Sequence, residues 1–257
     1  MRSTIFMLAA VLSLAGSAFA QDQSSPGGSG ANAAPVDTIA PPPPADTTAA
    51  APGPGPIDPS IPDMTGPQLL ISTSMGDITL QLDAVRAPKT VEHVLAYVKA
   101  KHYDGTVFYR VVPGALIQMG SWDAKGRGRA VLTGLKRVPL EVKNGLSNVR
   151  GTVGLARGDE PDSGGADFFI NVGDESPLDA AKDVPGNTTG YAVFGKVIGG
   201  LGVVDAIDKV KTSGVGPMEG AAPMVPVLIS KVTIVPGTDT SPAAAKAAVK
   251  PAAKKKK

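Results

Sequence analysis

The chain has 257 residues with 25 Lys and Arg against 23 Asp and Glu, a formal charge of +2, and no cysteine. The missing thiols exclude disulfides, thiolate catalysis, thiolate metal sites and a cysteine-linked lipid anchor. Stability must come from a hydrophobic core, and only residues 68–235 are composed to build one.

Residues 1–20 read as a secretory signal, with Arg2, an apolar run from Ile5 to Leu14, and Ala18-Phe19-Ala20 as a small-residue cleavage site after Ala20. The run is too short for a good membrane span. Residues 21–67 are mostly Pro, Ala, Gly, Ser and Asp, so a disordered or polyproline-like linker is expected. Residues 236–257 form an Ala/Pro/Lys tail ending in Lys254 to Lys257. The tail is expected to be a solvated end, with attachment to an anionic envelope surface as the functional alternative. Export argues against nucleic acid as a partner.

Between these ends, 69–74 and 78–82 flank Met75-Gly76-Asp77 and predict a strand–turn–strand hairpin. Val91, Val94, Leu95 and Val98 follow Pro88 at helical spacing and predict a helix over 88–101. Short β-rich runs follow at 106–112, 115–119, 152–156, 167–172, 191–198 and 226–235, with a second helix over 201–209. Many short strands and two helices predict a mainly β fold, a closed or nearly closed antiparallel barrel capped by the helices. The loops at 120–150 and 157–166 are long and polar, a place where binding often sits.

Several apparent signals fail on inspection. Gly200-Leu201-Gly202 lacks the third small residue and the βαβ unit of a dinucleotide site, and reads as a turn entering a helix. Asp159, Glu160 and Asp162 lack calcium-loop spacing and read as a solvated face. His93 and His102, the only histidines, are wrongly spaced for a shared helical ligand face. His93 is expected at a helix surface or boundary and His102 in a loop. Ser163 lacks a nucleophile elbow.

Arg110 is the anomaly, because it interrupts the apolar run Phe108 to Val112 ahead of Pro113-Gly114. A half-buried guanidinium without a task is costly. Four segments carry a resemblance that supplies one: Ala87-Pro88-Lys89-Thr90-Val91, Tyr103 to Gly114, Phe168-Phe169-Ile170-Asn171-Val172, and Gly190 to Val197. In this order they resemble the cyclophilins, peptidyl-prolyl cis–trans isomerases, over about residues 69–235, and most closely the exported bacterial members. The resemblance implies an eight-stranded antiparallel barrel with two capping helices and a periplasmic isomerase needing no cofactor or metal. It assigns Arg110 as the donor to the prolyl nitrogen and Gln118 as the group beside the substrate carbonyl. The pocket carried over comprises Phe108, Leu116, Ala156, Arg157, Phe169, Leu178 and Tyr191. Without the resemblance, Phe108, Leu116 and Leu178 read as barrel core. It also implies proline-containing unfolded polypeptides as partners and binding of cyclosporin-type inhibitors.

The chain departs from the family pattern at Ala115, where phenylalanine is common, and at Asp167, Pro177 and Arg157. A missing aromatic wall at Ala115 weakens the expected pocket unless Met119 or Trp122 refills it, and it motivates a second reading as a catalytically weak proline-peptide binding module or holding chaperone. A third reading is an envelope-tethered scaffold whose tail supplies the function. One geometric expectation is sharp. A tight turn at Pro113-Gly114 would pair Arg110 with Ile117 and turn Gln118 to the other face, so an intact site requires a wider connection or a bulge.

Overall fold

The computed structural model describes residues 60–181, 188–213, 218, 220–236 and 238. The strands are β1 (Gln68–Thr73), β2 (Gly76–Leu82), β3 (Thr106–Val112), β4 (Leu116–Asp123), β5 (Thr152–Leu155), β6 (Phe168–Asn171), β7 (Val193–Gly199) and β8 (Val227–Ile234). Helix α1 spans Pro88–Lys99, α2 spans Leu201–Asp208, and a 3-10 turn spans Ser176–Leu178. The strands close into an antiparallel barrel in the order β1-β2-β7-β5-β6-β4-β3-β8, with β8 returning to β1. Closure gives every strand two partners and leaves no open edge. This is the eight-stranded, two-helix fold that the pattern predicts.

Alternation decides what fills the barrel. Ile78, Leu80 and Leu82 of β2 are fully buried, as are Leu69 and Ile71 of β1. Both helices close on the same core through Val91, Val94 and Val98 of α1 and Leu201, Val204 and Ile207 of α2. Gly200, at φ 76°, makes the left-handed turn into α2. Helix α1 begins after Ala87, which offers no capping side chain. Glu141 supplies the cap instead, its Oε2 accepting from the Thr90 N–H and hydroxyl at 2.8 Å each.

Three expectations are corrected. The linker was expected to run to 67, yet Ile61 and Met64 are buried against Val193, and the Thr65 carbonyl accepts from the Ala84 N–H at 2.9 Å. Two apolar side chains spaced within a Pro-rich segment are enough to dock it. The strand expected over 115–119 continues to Asp123, because Gly120, at φ 143°, bends the chain without ending the ladder. The expected loop 120–150 is then anchored by the buried side chains of Val138, Leu140 and Val142. Finally, His93 is buried rather than at the surface. It joins Tyr97, His102, Tyr103 and Phe168 in a chain of edge-on and tilted rings.

Candidate active site

The site begins with a register change in the β3–β4 ladder. Phe108 pairs with Met119, and both are fully buried in the barrel core. The next pair is Arg110 with Gln118, so Tyr109 is an extra residue with no partner on β4. Strict alternation from Phe108 would aim Arg110 into the core. The bulge turns it to the outer face beside Gln118. At the far end of the ladder Val112 pairs with Leu116, so the connection is the three-residue turn Pro113–Ala115 with Gly114 at φ 75°. The wider connection that an intact site requires is therefore present.

The outer face then continues across the sheet. Gln118 pairs with Phe169 of β6, and Phe169 pairs with Gly154 of β5. Directly opposed residues share a face, so Arg110, Gln118 and Phe169 stand in one row. Phe169 lies across Gly154, where an added Cβ would fall 2.3 Å from the ring. Only a glycine lets the ring settle there. Tyr191 meets Phe169 edge-on with centroids 5.7 Å apart. The Arg157 guanidinium covers the Tyr191 ring at 5.3 Å, while its Nε donates to the Gly190 carbonyl at 2.9 Å. Arg157 thus contributes through its side chain.

Leu178 ends the 3-10 turn, half-buried, and its carbonyl accepts from the Tyr191 N–H at 2.9 Å. Asp179 fixes that turn by accepting from the Ser147 hydroxyl and from the Asn148 N–H and Nδ2. Asn148 is fully buried and also reaches the Tyr191 carbonyl at 3.2 Å. The sequence reading missed this support, since its members lie 43 residues apart in the chain. Leu116, two residues before Gln118, shares its face and stays outside the main core cluster. Ala156 follows β5 and its N–H donates to the Asp167 carbonyl at 2.9 Å.

The structure therefore brings together Arg110, Gln118, Leu116, Ala156, Arg157, Phe169, Leu178 and Tyr191. Phe108 does not join them. It packs inside the barrel, because the bulge separates its face from that of Arg110. The space beside Ala115 is not refilled by either candidate. Met119 is fully buried on the inner face, and Trp122 packs against Tyr109 at 6.3 Å toward the other end of β4. A cleft of about 120 Å³ opens on that side, lined by Tyr109, Trp122, Ala222 and Pro226 among others.

The polar groups of the site form one connected set. Arg110 Nη1 donates to Gln118 Oε1 at 3.1 Å, and Gln118 Nε2 donates to the Tyr109 hydroxyl at 2.5 Å. The Tyr109 hydroxyl faces the Asp167 carboxylate. Asp167 accepts from the Ser121 N–H at 2.8 Å and the Ser121 hydroxyl at 2.7 Å. Burial raises the Asp167 pKa, with the Ser121 bonds and Tyr109 opposing that shift. Burial also raises the Tyr109 pKa, and the negative charge on Asp167 adds to it.

A model described as "Cyclophilin type peptidyl-prolyl cis-trans isomerase/CLD" matches residues 68–234, more than half of the chain. The chain belongs to this family. As a cyclophilin it is a peptidyl-prolyl cis–trans isomerase, and its relatives bear the same name. Peptidyl-prolyl cis-trans isomerase A of Dickeya dadantii is 39% identical over 177 residues, covering 69% of this chain and 89% of its own. Peptidyl-prolyl cis-trans isomerase B of Escherichia coli is 37% identical over 163 residues, covering 63% and 96%. Among solved structures, a Cryptosporidium parvum cyclophilin-type isomerase crystallised in the presence of the dipeptide Ala-Pro superposes with a TM-score of 0.54. It shares 23% identity and covers 65% of this cyclophilin and 98% of its own chain, a likeness of fold.

Proposed function

We propose that this isomerase acts on exposed Xaa-Pro bonds of unfolded or flexible polypeptides in the bacterial cell envelope, assisting their folding. The observation that carries the reading is the row Arg110–Gln118–Phe169, bordered by Tyr191, Leu178 and Leu116. Rotation about a prolyl amide faces a barrier of about 18–20 kcal/mol from amide resonance, and no bond is made or broken. A nucleophile or base has no task in it. In the proposed mechanism the proline ring packs on Phe169, which holds one side of the amide. The carbonyl side turns near Gln118. As the amide twists, the nitrogen lone pair becomes available, and Arg110 donates to it. That bond is stronger in the twisted state than in either planar isomer, which is the condition for acceleration. Arginine suits the position because it stays charged and can hold Gln118 with one nitrogen while another faces substrate.

The envelope location rests on the signal-like residues 1–20, which lie outside the described residues, as does the Lys-rich tail proposed to meet an anionic surface. Ala115 favours a weak variant of the same reading, a binding module with slow turnover, because neither Met119 nor Trp122 replaces the aromatic wall there. A cyclosporin-type inhibitor would contact the same face and should bind less tightly for the same reason. The test is an NMR exchange or protease-coupled assay on an Ala-Pro tetrapeptide with wild type and Arg110→Ala. Arg110→Ala should lower kcat/KM by about a hundredfold or more, the scale of losing one transition-state donor. An unchanged rate would remove Arg110 from the mechanism. Peptide binding with no isomerisation by the wild type would favour the binding module.

A further inference from the structure

Hydrogen-bond direction along the polar set is determined by its two ends. Arginine can only donate, so the Gln118 amide must present Oε1 to Arg110. That leaves Gln118 Nε2 to donate to the Tyr109 hydroxyl. The hydroxyl, used as an acceptor there, has its single proton left for the carboxylate it faces. An ionised carboxylate only accepts, so Asp167 terminates the chain in the matching sense. Gln118 and Tyr109 are buried, at 9% and 6% exposure, so water does not scramble the order. The backbone is shaped for this contact as well. A Cβ on Gly120 would fall 2.6 Å from Asp167 Oδ1 and 2.7 Å from its Cα, and only glycine passes so close at φ 143°.

We propose that Tyr109 and Asp167 are positioning residues of the isomerase, which act through Gln118 to hold the Arg110 guanidinium in its working orientation. The proposal rests on Arg110 being the donor assigned above. A protonated Asp167 no longer takes the Tyr109 proton as a pure acceptor, the order loosens, and Gln118 and Arg110 lose their fixed orientation. The groups that meet Asp167 are Tyr109 from β3 and Ser121 from β4, and its negative charge also reaches Tyr97 of α1 and Tyr103 of the turn after it. The tyrosines are neutral throughout the acid range, so Asp167 is the group that titrates. Its burial places that titration above the ordinary carboxylate range.

The experiment measures kcat and KM against pH for full-length wild type, Tyr109→Phe, Asp167→Asn, the double variant and Arg110→Ala, with peptide affinity read from Trp122, the one tryptophan. Tyr109→Phe keeps the ring and removes only the hydroxyl. It should lower kcat by about five- to tenfold, the scale of one lost positioning bond, with peptide affinity changed by less than about twofold. The double variant should lose no more than the worse single, because the two residues act in series. Wild-type kcat should fall on the acid side, and Asp167→Asn should remove that fall. An unchanged kcat in Tyr109→Phe overturns the proposal even if Asp167→Asn fails to fold. Multiplying losses in the double variant, or an acid fall that persists in a folded Asp167→Asn, also overturn it. If Arg110→Ala keeps the wild-type rate, the donor assignment itself has failed, a result distinct from the others.

Discussion

At the scale of single residues, the site depends on two glycines as much as on its polar groups. Gly120 admits Asp167, and Gly154 admits the Phe169 ring. A methyl at 154 must push the ring outward, since the strand behind it is hydrogen-bonded on both sides. Gly154→Ala should therefore raise KM for a proline tetrapeptide by about fivefold or more while leaving the Arg110 chain in place. Steady-state kinetics with wild-type and variant enzyme would show it. A KM within error of wild type would mean that the proline ring does not rest on Phe169. The arginine that looked out of place in an apolar strand is explained at this scale too. It occupies an outward position created by one extra residue, Tyr109.

At the scale of elements, α1 and the turn after it bury both histidines. His93 Nε2 and His102 Nε2 have no hydrogen-bond partner, and burial lowers both pKa values, with Arg129 adding to the shift at His102. A lowered histidine pKa means that the native state prefers the neutral imidazole. The stabilisation is complete above the unfolded value, about pH 6.5, and is lost as pH falls below it toward the native values. The urea midpoint should fall between about pH 7 and about pH 5, and His93→Leu with His102→Phe should flatten that slope. Asp167 works in the opposite sense, because a raised carboxyl pKa favours the folded state as pH falls. Comparing the variant with wild type isolates the histidines. An equal slope in both would show that the imidazoles do not control acid stability.

At the scale of the whole molecule, the folded unit starts earlier than composition suggests. Ile61 and Met64 cover Val193, and Lys196 Nζ donates to the Pro62 carbonyl at 3.1 Å. Each buried apolar side chain of this size contributes about 1.5–3 kcal/mol. A fragment beginning at 68 should therefore melt several degrees below one beginning at 60, by calorimetry. Their kcat/KM values should agree within about twofold, since Ile61 and Met64 cover Val193 on β7, two strands beyond Phe169 in the barrel. Equal melting temperatures would make residues 60–67 a passive linker after all.

The amino-acid sequence by itself determined the strands, both helices, the closed-barrel class and the segments that mark the family. Each is written in spacing over a few residues, or in contiguous motifs. Phe169 and Tyr191 reached the list of site residues through those motifs, and Leu116 and Leu178 through the wider family resemblance; the structure brings them to one face. The side on which Arg110 emerges was decided only by the tertiary structure, through the shift in pairing between β3 and β4. The same holds for Phe108 in the core, the Glu141 cap on α1 and the contact from Asp167 through Tyr109 to Gln118. Asp167 stood out as a departure from the family pattern, but its partners could not be read. Ser121 lies 46 residues away in the chain, and such a distance leaves no trace in local periodicity. A bulge likewise has no fixed local signature, because it is settled by which neighbouring strand offers the better-packed register.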